Sequence, residues 1–278
     1  MSRTLSKLIA FIGAGNMAGA LIGGLLADGY PADRLIASDP AGDKCDALAR
    51  ASGIRTLQDN RAAVAEADIV VLAVKPQILG QVARDIASVV QERRPLLVSI
   101  AAGIRTPTLD TWLGGKVALI RTMPNTPAML QTGATALYAT PAVSAEQREQ
   151  AESLMRAVGL TQWVDDEAAM DAVTALSGSG PAYFFLVIEA MQAAGRELGL
   201  SEETARLLTL QTALGAARMA LESDADAATL RQRVTSPGGT TERAVGILED
   251  GGLRSLFERA MKGARDRSIE LSADLGAE

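Results

Sequence analysis

Short apolar runs alternate with helical patterns over the first 164 residues, and this alternation constrains the fold more than any other feature of the sequence. We predict strands at residues 8–12, 35–38, 69–74, 96–101, 117–121, 132–138 and 161–164. Helices are predicted between them at residues 18–28, 43–52, 78–90, 108–113 and 145–158. Such alternation is typical of βαβ units, in which helices cover both faces of a mostly parallel sheet.

The strand pattern stops near Val164, and the remaining chain is predicted to be helical. The helices are expected at residues 167–175, 182–198, 202–221, 227–234, 241–248 and 257–275. We therefore predict an α/β domain at residues 1–164 and an all-α domain at residues 165–278. Around Phe184–Met191 and Leu207–Leu221 the helices are too apolar for a monomer surface, so at least a homodimer is expected.

The composition excludes several classes of function. The 278 residues contain no histidine and one cysteine, Cys45, which excludes Ser-His and Cys-His catalysis, the usual zinc sites and an intrachain disulfide; no metal is expected. A net charge of −6 without a run of Lys and Arg argues against nucleic acid as a partner. The uncharged residues 8–27 superficially resemble a signal peptide or membrane span, but glycines interrupt them, and no membrane partner is expected.

The first predicted strand runs into a glycine motif, Gly13-x-Gly15-x-x-Ala18, which opens a helix. In this context Gly13 permits a tight turn and Gly15 lets the backbone approach a pyrophosphate. Ala18 lets the helix pack closely on the strand. The motif therefore predicts a dinucleotide site, and the alternative is a simple glycine-rich turn.

Three further features lie where predicted strands end. Asp39 follows the second strand, where an acid would hold the ribose hydroxyls of NAD, or it caps a turn beside Pro40. Lys75 ends the next strand, either as a catalytic group or as a solvated charge. The segment "MPNTPA", residues 123–128, either borders the ligand crevice or only connects two strands.

Two segments of the helical half combine glycine, proline and hydroxyl side chains. In "SPGGTT", residues 236–241, bare glycine N–H groups and threonine hydroxyls at a helix start suit a carboxylate, although an ordinary capped helix has the same composition. In "SGSGPA", residues 177–182, Pro181 lies in the first turn of an apolar helix, and close helix packing is the alternative.

Six segments spread over the chain resemble pyrroline-5-carboxylate reductases: "FIGAGNMAGAL", "LAVKPQ", "VSIAAGI", "RTMPNTPA", "ALSGSGPAYFF" and "VTSPGGTTERAV". The resemblance implies an α/β Rossmann-like N-terminal domain and an all-α C-terminal domain for dimerisation and substrate binding. It further implies a cytoplasmic enzyme that reduces the C=N bond of L-1-pyrroline-5-carboxylate and so forms L-proline. This reaction is the final step of proline biosynthesis, and it uses NADPH or NADH (cofactors NADP and NAD). Many members are decamers of five dimers.

The resemblance also assigns site residues. Cofactor contacts are implied at Gly13, Ala14, Gly15, Asn16, Met17, Ser38, Asn60, Val74, Lys75, Pro76, Ala101, Ala102 and Gly103, to which the glycine-motif analysis adds Asp39. Substrate contacts are implied at Ser179, Gly180, Pro181, Val234, Ser236, Gly238, Gly239, Thr240 and Thr241, with Thr241 and Ser236 as the catalytic pair. The negative charge of Asp39 would repel the 2′-phosphate of NADPH and puts a strict NADPH preference in doubt.

Two other functions compete with this interpretation. A β-hydroxyacid dehydrogenase needs a lysine or a comparable acid-base group at the reacting hydroxyl, and the helical half contains no lysine before Lys262. A non-catalytic dinucleotide sensor would keep the glycine motif but would not need a second, hydroxyl-rich anion site. A cyclic imine bound as its iminium accepts hydride without a strong acid residue, which agrees with the absence of histidine.

Overall fold

The computed structural model describes residues 7–276, which form two compact units. Residues up to Ser179 and from Ala264 onward make the first unit, and Gly180–Gly263 make the second. The predicted boundary near Val164 marks the end of the last strand, whereas the contacts divide the chain later. The domain limits at 164 and 165 remain a prediction, and their outermost residues 1–6 and 277–278 lie outside the described residues.

An eight-stranded sheet forms the centre of the first unit. Its strands are β1 Ile9–Ile12, β2 Leu35–Ser38, β3 Arg55–Leu57, β4 Ile69–Leu72, β5 Leu96–Ser99, β6 Leu119–Met123, β7 Gly133–Ala139 and β8 Gly159–Trp163. The spatial order is β3-β2-β1-β4-β5-β6-β7-β8. All neighbours are parallel except β6 and β7, which confirms the predicted mostly parallel sheet. The order reverses between β1 and β4, and ligands bind at such switch points.

Helices cover both faces of the sheet. They are α1 Asn16–Ala27, α2 Gly42–Ser52, α3 Asn60–Glu66, α4 Pro76–Arg93, α5 Thr106–Trp112, α6 Ala145–Arg156 and α7 Ala169–Val173. Alternate strand residues enter two separate buried clusters, so Phe11 and Val71 belong to one and Ala10 and Val70 to the other. Strands buried on both faces read as continuous apolar runs, which is why the sequence pattern reveals them.

Strand β3 and helix α3 were not predicted from the sequence. Strand β3 has only three residues and lies at the sheet edge, where Arg55 is exposed, so it lacks an apolar run. Helix α3 has seven residues and begins at Asp59, whose carboxylate accepts hydrogen bonds from the backbone N–H groups of Arg61 and Ala62. The other predicted strands and helices are present, with shifted ends.

In the described part of the second unit, helices are joined by short loops and there are no strands. It contains α8 Gly180–Glu197, α9 Glu202–Glu222, α10 Ala227–Arg233, α11 Thr240–Asp250 and the first half of α12 Leu253–Gly276. Its large apolar side chains are exposed, among them Phe184 (69%), Leu214 (62%) and Leu221 (82%). An exposed apolar surface of this kind marks an interaction face.

The helical stretch Ala169–Glu197, which comprises α7, a π-helical turn and α8, is long and apolar enough to cross a membrane by length and composition alone, and 17% of its most apolar window is buried. It carries the exposed Phe184 and Phe185, so a protein interface explains its apolar surface equally well. The uncharged residues 8–27, by contrast, form strand β1 and helix α1 inside the first unit, as the predicted strand, tight turn and helix require.

Candidate active site

The glycine loop leaves β1 at the switch point. Gly13 has φ +107°, a conformation that favours glycine, and its N–H donates to the carbonyl oxygen of Ser38 at 2.7 Å. A Cβ atom on Gly13 would lie 2.7 Å from the carbonyl oxygen of Ala73, at the end of the neighbouring strand β4. The loop therefore requires glycine here both for its backbone angle and for its approach to β4.

The start of α1 is open to a ligand. Gly15 is the N-cap residue, no side chain caps the helix, and a Cβ atom on Gly15 would meet no atom within 4 Å. The unpartnered N–H groups of a first helical turn attract phosphate. Ala18 is fully buried beneath, as the motif predicts. The geometry of Gly13–Met17 fits a pyrophosphate, although the individual contacts remain a prediction.

Asp39 joins the glycine loop to the end of β2. Its carboxylate accepts hydrogen bonds from the N–H groups of Ala14 (3.1 Å) and Ala41 (3.0 Å), and it lies 3.5 Å from Nζ of Lys44. Asp39 is only 8% exposed. The turn-capping role is thus present in the structure, and contact with a ribose remains a prediction.

Other predicted cofactor residues cluster at the carboxyl ends of the strands. Ser38 donates from its hydroxyl to the Asn60 side-chain oxygen at 2.8 Å, so these two residues lie together beyond β2. Val74 lies against Gly13, Lys75 is the exposed N-cap of α4, and Pro76 is the first residue of that helix. Exposure at a helix start favours a solvated role for the Lys75 side chain.

The loop after β5 contains Ala101, Ala102 and Gly103. Gly103 has φ +76°, and a Cβ atom there would lie 3.3 Å from Cδ1 of Leu275. Leu275 belongs to the end of α12, which is part of the first unit. The last residues of the described chain therefore pack on a predicted cofactor loop.

A partly buried ionic network that no sequence pattern predicted lies just beyond this loop. Glu167 accepts from the N–H (2.7 Å) and hydroxyl (2.6 Å) of Thr106 and pairs with Arg121 at 2.9 Å, and Arg121 is 3% exposed. Asp171 accepts from Ser268 on α12 at 2.8 Å and from Arg105 at 3.2 Å. The one signal was an arginine inside an apolar strand pattern, since a buried guanidinium needs an acid partner.

The segment "SGSGPA" follows a π-helical turn at Thr174–Gly178. The Ser179 N–H donates to the Thr174 carbonyl at 2.8 Å, and α8 begins at Gly180. A Cβ atom on Gly178 would lie 2.5 Å from Cε of Met123, the first residue of "MPNTPA". Close packing, one of the two interpretations of this segment, is therefore observed at Gly178.

The segment "SPGGTT" precedes α11 in the second unit. Gly238 has φ +70°, and its N–H donates to the Glu242 carboxylate at 2.7 Å; the Gly239 N–H donates to the Ser236 carbonyl at 3.0 Å. Within the part of the chain that the structure describes, the N–H groups and hydroxyls of Thr240 and Thr241 make no hydrogen bond. The helix start is therefore partly capped from within by Glu242, a residue that sequence reasoning overlooked.

A Rossmann sheet with a glycine loop at its switch point and an uncapped helix behind that loop is typical of a dinucleotide-binding protein. A family model described as NADP oxidoreductase, coenzyme F420-dependent, matches residues 8–103. A second, described as pyrroline-5-carboxylate reductase dimerisation, matches residues 167–271. The chain belongs to the pyrroline-5-carboxylate reductase family, as the relatives below show.

The pyrroline-5-carboxylate reductase of Pseudomonas aeruginosa is 54% identical over 268 residues, which cover 96% of this chain and 98% of that protein. The Haemophilus influenzae enzyme of the same name is 45% identical, with 95% and 97% covered. The solved Coxiella burnetii pyrroline-5-carboxylate reductase is 48% identical, with a TM-score of 0.93 and 96% and 98% covered. A Plasmodium falciparum pyrroline carboxylate reductase solved with NADP bound is 28% identical, with a TM-score of 0.85 and the same coverage.

Family membership confirms the predicted class, the Rossmann-like and helical domains, and the NAD(P) dependence. It decides against the β-hydroxyacid dehydrogenase and the non-catalytic sensor. The dimerisation model spans the helices whose apolar side chains are exposed, so the chain forms a homo-oligomer.

Proposed function

We propose that this chain reduces L-1-pyrroline-5-carboxylate to L-proline, the final step of proline biosynthesis. Hydride, which NAD(P)H supplies when bound, adds to the imine carbon, and the ring nitrogen keeps the proton of the iminium form. No side chain has to donate a proton at this step, so positioning is the main task of the protein. The observation that carries the proposal is 54% identity to a relative of that name along 96% of the chain.

The test is a steady-state assay of the purified protein with the imine and either NADH or NADPH. We expect loss of reduced nicotinamide absorbance with formation of proline in equal amount. Cofactor binding without oxidation would contradict the proposal and favour a sensor. Oxidation of a β-hydroxyacid with NAD(P)+ but no imine reduction would favour the dehydrogenase.

For the dinucleotide, the proposal assigns the pyrophosphate to Gly13–Met17 at the uncapped start of α1. Ser38 and Asn60, already hydrogen-bonded to each other, lie on the adenosine side with Asp39. The loops Val74–Pro76 and Ala101–Gly103 serve the nicotinamide side, because they leave β4 and β5 at the same sheet edge.

For the substrate, the proposal assigns the carboxylate to the start of α11, with further contacts from Val234 and from Ser179–Pro181. Helix N-termini favour anions, and the N–H groups of Thr240 and Thr241 are available in the structure. Gly238 can take part only if Glu242 releases its N–H, since the Glu242 carboxylate occupies that donor. The Glu242 contact supports a carboxylate position at this turn, and in this proposal the substrate carboxylate replaces Glu242 at the Gly238 N–H.

Within this segment, Thr241 and Ser236 are proposed to act directly on the substrate. The Thr241 side chain is half-buried, whereas Thr240 is exposed. A half-buried hydroxyl in the first turn can donate to the carboxylate or lie at the ring nitrogen, and an exposed neighbour is better placed to serve only the helix start. Ser236, whose carbonyl fixes Gly239, is proposed to offer its hydroxyl to the same carboxylate.

For assembly and location, we propose a decamer of five dimers in the cytoplasm, with neither a membrane nor nucleic acid as a partner. The exposed apolar side chains of α8 and α9 support the dimer, and the net charge of −6 argues against binding a polyanion. Sedimentation equilibrium tests the decamer, because a stable dimer at all concentrations would reject the larger ring.

A further inference from the structure

The carbonyl group of Ser177 lacks its usual helical partner. In a continuous α-helix this carbonyl would accept a hydrogen bond from the backbone N–H four residues later. That residue is Pro181, whose ring nitrogen carries no hydrogen. A part-buried carbonyl that loses its donor destabilises the local backbone unless another group replaces it.

Asn125 supplies the missing donor. Its side-chain Nδ2 donates to the Ser177 carbonyl at 3.0 Å. Its Oδ1 accepts from the Ala134 N–H, at the start of β7, at 2.9 Å. Because a backbone N–H can only donate, the Ala134 contact fixes which end of the amide faces Ser177.

The segment that Asn125 holds is irregular. Thr174–Gly178 form a π-helical turn, and π-turns occur frequently at functional sites. Met123, two residues before Asn125, packs against Gly178, where its Cε lies 2.5 Å from the position that a Cβ atom would take, so a side chain there would have to displace Met123. The "MPNTPA" loop therefore fixes this turn by one hydrogen bond and one steric contact, both within the first unit.

We propose that Asn125 is a positioning residue for substrate binding, which acts by holding the turn that leads into Ser179–Pro181. This inference rests on the proposed function, which gives Ser179–Pro181 to the substrate. Asn125 touches the turn and not the reacting atoms, so its removal should raise the KM for the imine and leave the affinity for NADPH unchanged.

The specific test is Asn125→Asp, which keeps the acceptor for Ala134 but replaces the donor at Ser177 with a carboxylate oxygen. We expect kcat/KM for the imine to fall roughly tenfold or more, mainly through KM, since an unsatisfied, part-buried acceptor beside a carboxylate oxygen is costly. The matched control is Thr132→Ala, which removes a side-chain hydrogen bond to the Pro127 carbonyl (3.3 Å) at the other end of the same loop. The control should keep the wild-type KM.

A second test restores the donor instead. Pro181→Ala supplies an N–H at residue 181, so Asn125→Ala should cost less in that background than in the wild type. The inference would be overturned if Asn125→Ala lowered kcat/KM for the imine by the same factor in both backgrounds. It would also be overturned if Asn125→Asp had the same imine KM as Thr132→Ala. A fall of kcat, NADPH affinity and Tm in parallel with the rise in imine KM would also overturn it, because it would show a purely structural role. If the wild-type protein fails to reduce the imine, the proposed function itself fails, and that result is distinct from all of these.

Discussion

Phe11 in the first unit is completely buried, whereas Phe184 in the second unit exposes 69% of its surface. The same contrast holds for leucines, since Leu21 is 0% and Leu221 is 82% exposed. The first unit completes its hydrophobic core within one chain, around a sheet covered on both faces. The second unit leaves its apolar side chains for another chain to cover, so its share of the core exists only in the oligomer.

The largest effect is expected from a charge in that uncovered surface. Leu214→Glu should dissociate the oligomer and abolish activity, because an unpaired charge buried in an interface costs about 3–5 kcal/mol. Sedimentation should then show a 28.9 kDa monomer. The control is Leu160→Glu in the first unit, where the leucine is 64% exposed, close to the 62% of Leu214. If both variants remain assembled, the exposed leucines of the second unit are not covered by another chain, and the contrast between the two units is wrong.

Next in size is the loss of a buried ion pair. Glu167→Ala leaves Arg121 buried without its partner and should destabilise the protein by about 3–5 kcal/mol in urea unfolding. In the second unit, Glu222→Ala breaks the exposed pair with Arg218 and should cost less than about 1 kcal/mol. If the two variants lose similar free energies of unfolding, water must solvate Arg121 after Glu167 is removed.

The glycine loop should tolerate no side chain. Gly13→Ala places a methyl group 2.7 Å from the Ala73 carbonyl oxygen at positive φ, so we expect a loss of about 2 kcal/mol or more in stability or NADPH affinity. Gly23→Ala, on the open face of α1, should instead stabilise the helix by about 0.5–1 kcal/mol. Fluorescence titration with NADPH and urea unfolding measure both. A tolerated Gly13→Ala would mean that the loop relaxes away from β4.

In the second unit, the corresponding test removes a proposed contact to the substrate and should leave cofactor binding unchanged. Thr241→Ala should lower kcat/KM for the imine roughly ten- to hundredfold, since a hydrogen bond to a charged group contributes about 1.5–3 kcal/mol. NADPH affinity should not change, because the proposed dinucleotide contacts all lie in the first unit. Thr240→Ala is the control and should affect stability at most. Equal losses of imine and NADPH binding would show that the segment only caps α11.

The smallest effect concerns cofactor choice. Asp39→Ser should raise the NADPH-to-NADH ratio of kcat/KM about fivefold or more, because one unit charge near the 2′-phosphate contributes about 1 kcal/mol even in water and Asp39 is largely buried. Both absolute values should fall, since Asp39 also holds the Ala14 N–H. Lys44→Gln removes the cation 3.5 Å from Asp39 and should shift the ratio the other way. An unchanged ratio in both variants would restrict Asp39 to its turn-capping role.

Local chemistry made most of the first unit predictable. The βα turn at Gly13 could be recognised because its strand, glycines and helix are contiguous in sequence. The segments "SPGGTT" and "SGSGPA" could be recognised as helix starts, but the occupation of Gly238 by Glu242 depends on a rotamer that no pattern reveals. The contact between Asn125 and Ser177 joins a loop to a π-helical turn far apart in sequence, so the sequence pattern indicates both segments but not their pairing.

By itself, the sequence determined the alternating α/β half, the glycine loop, the helical half and its need for a partner, because each of these depends on short-range periodicity or composition. Only the tertiary structure decided that residues 165–179 and the end of α12 join the first unit. Asp171 and Ser268 meet across 97 residues of sequence, and Leu275 packs on Gly103. Such contacts follow from the way complete elements pack, and no local pattern carries information about which distant element will be the neighbour.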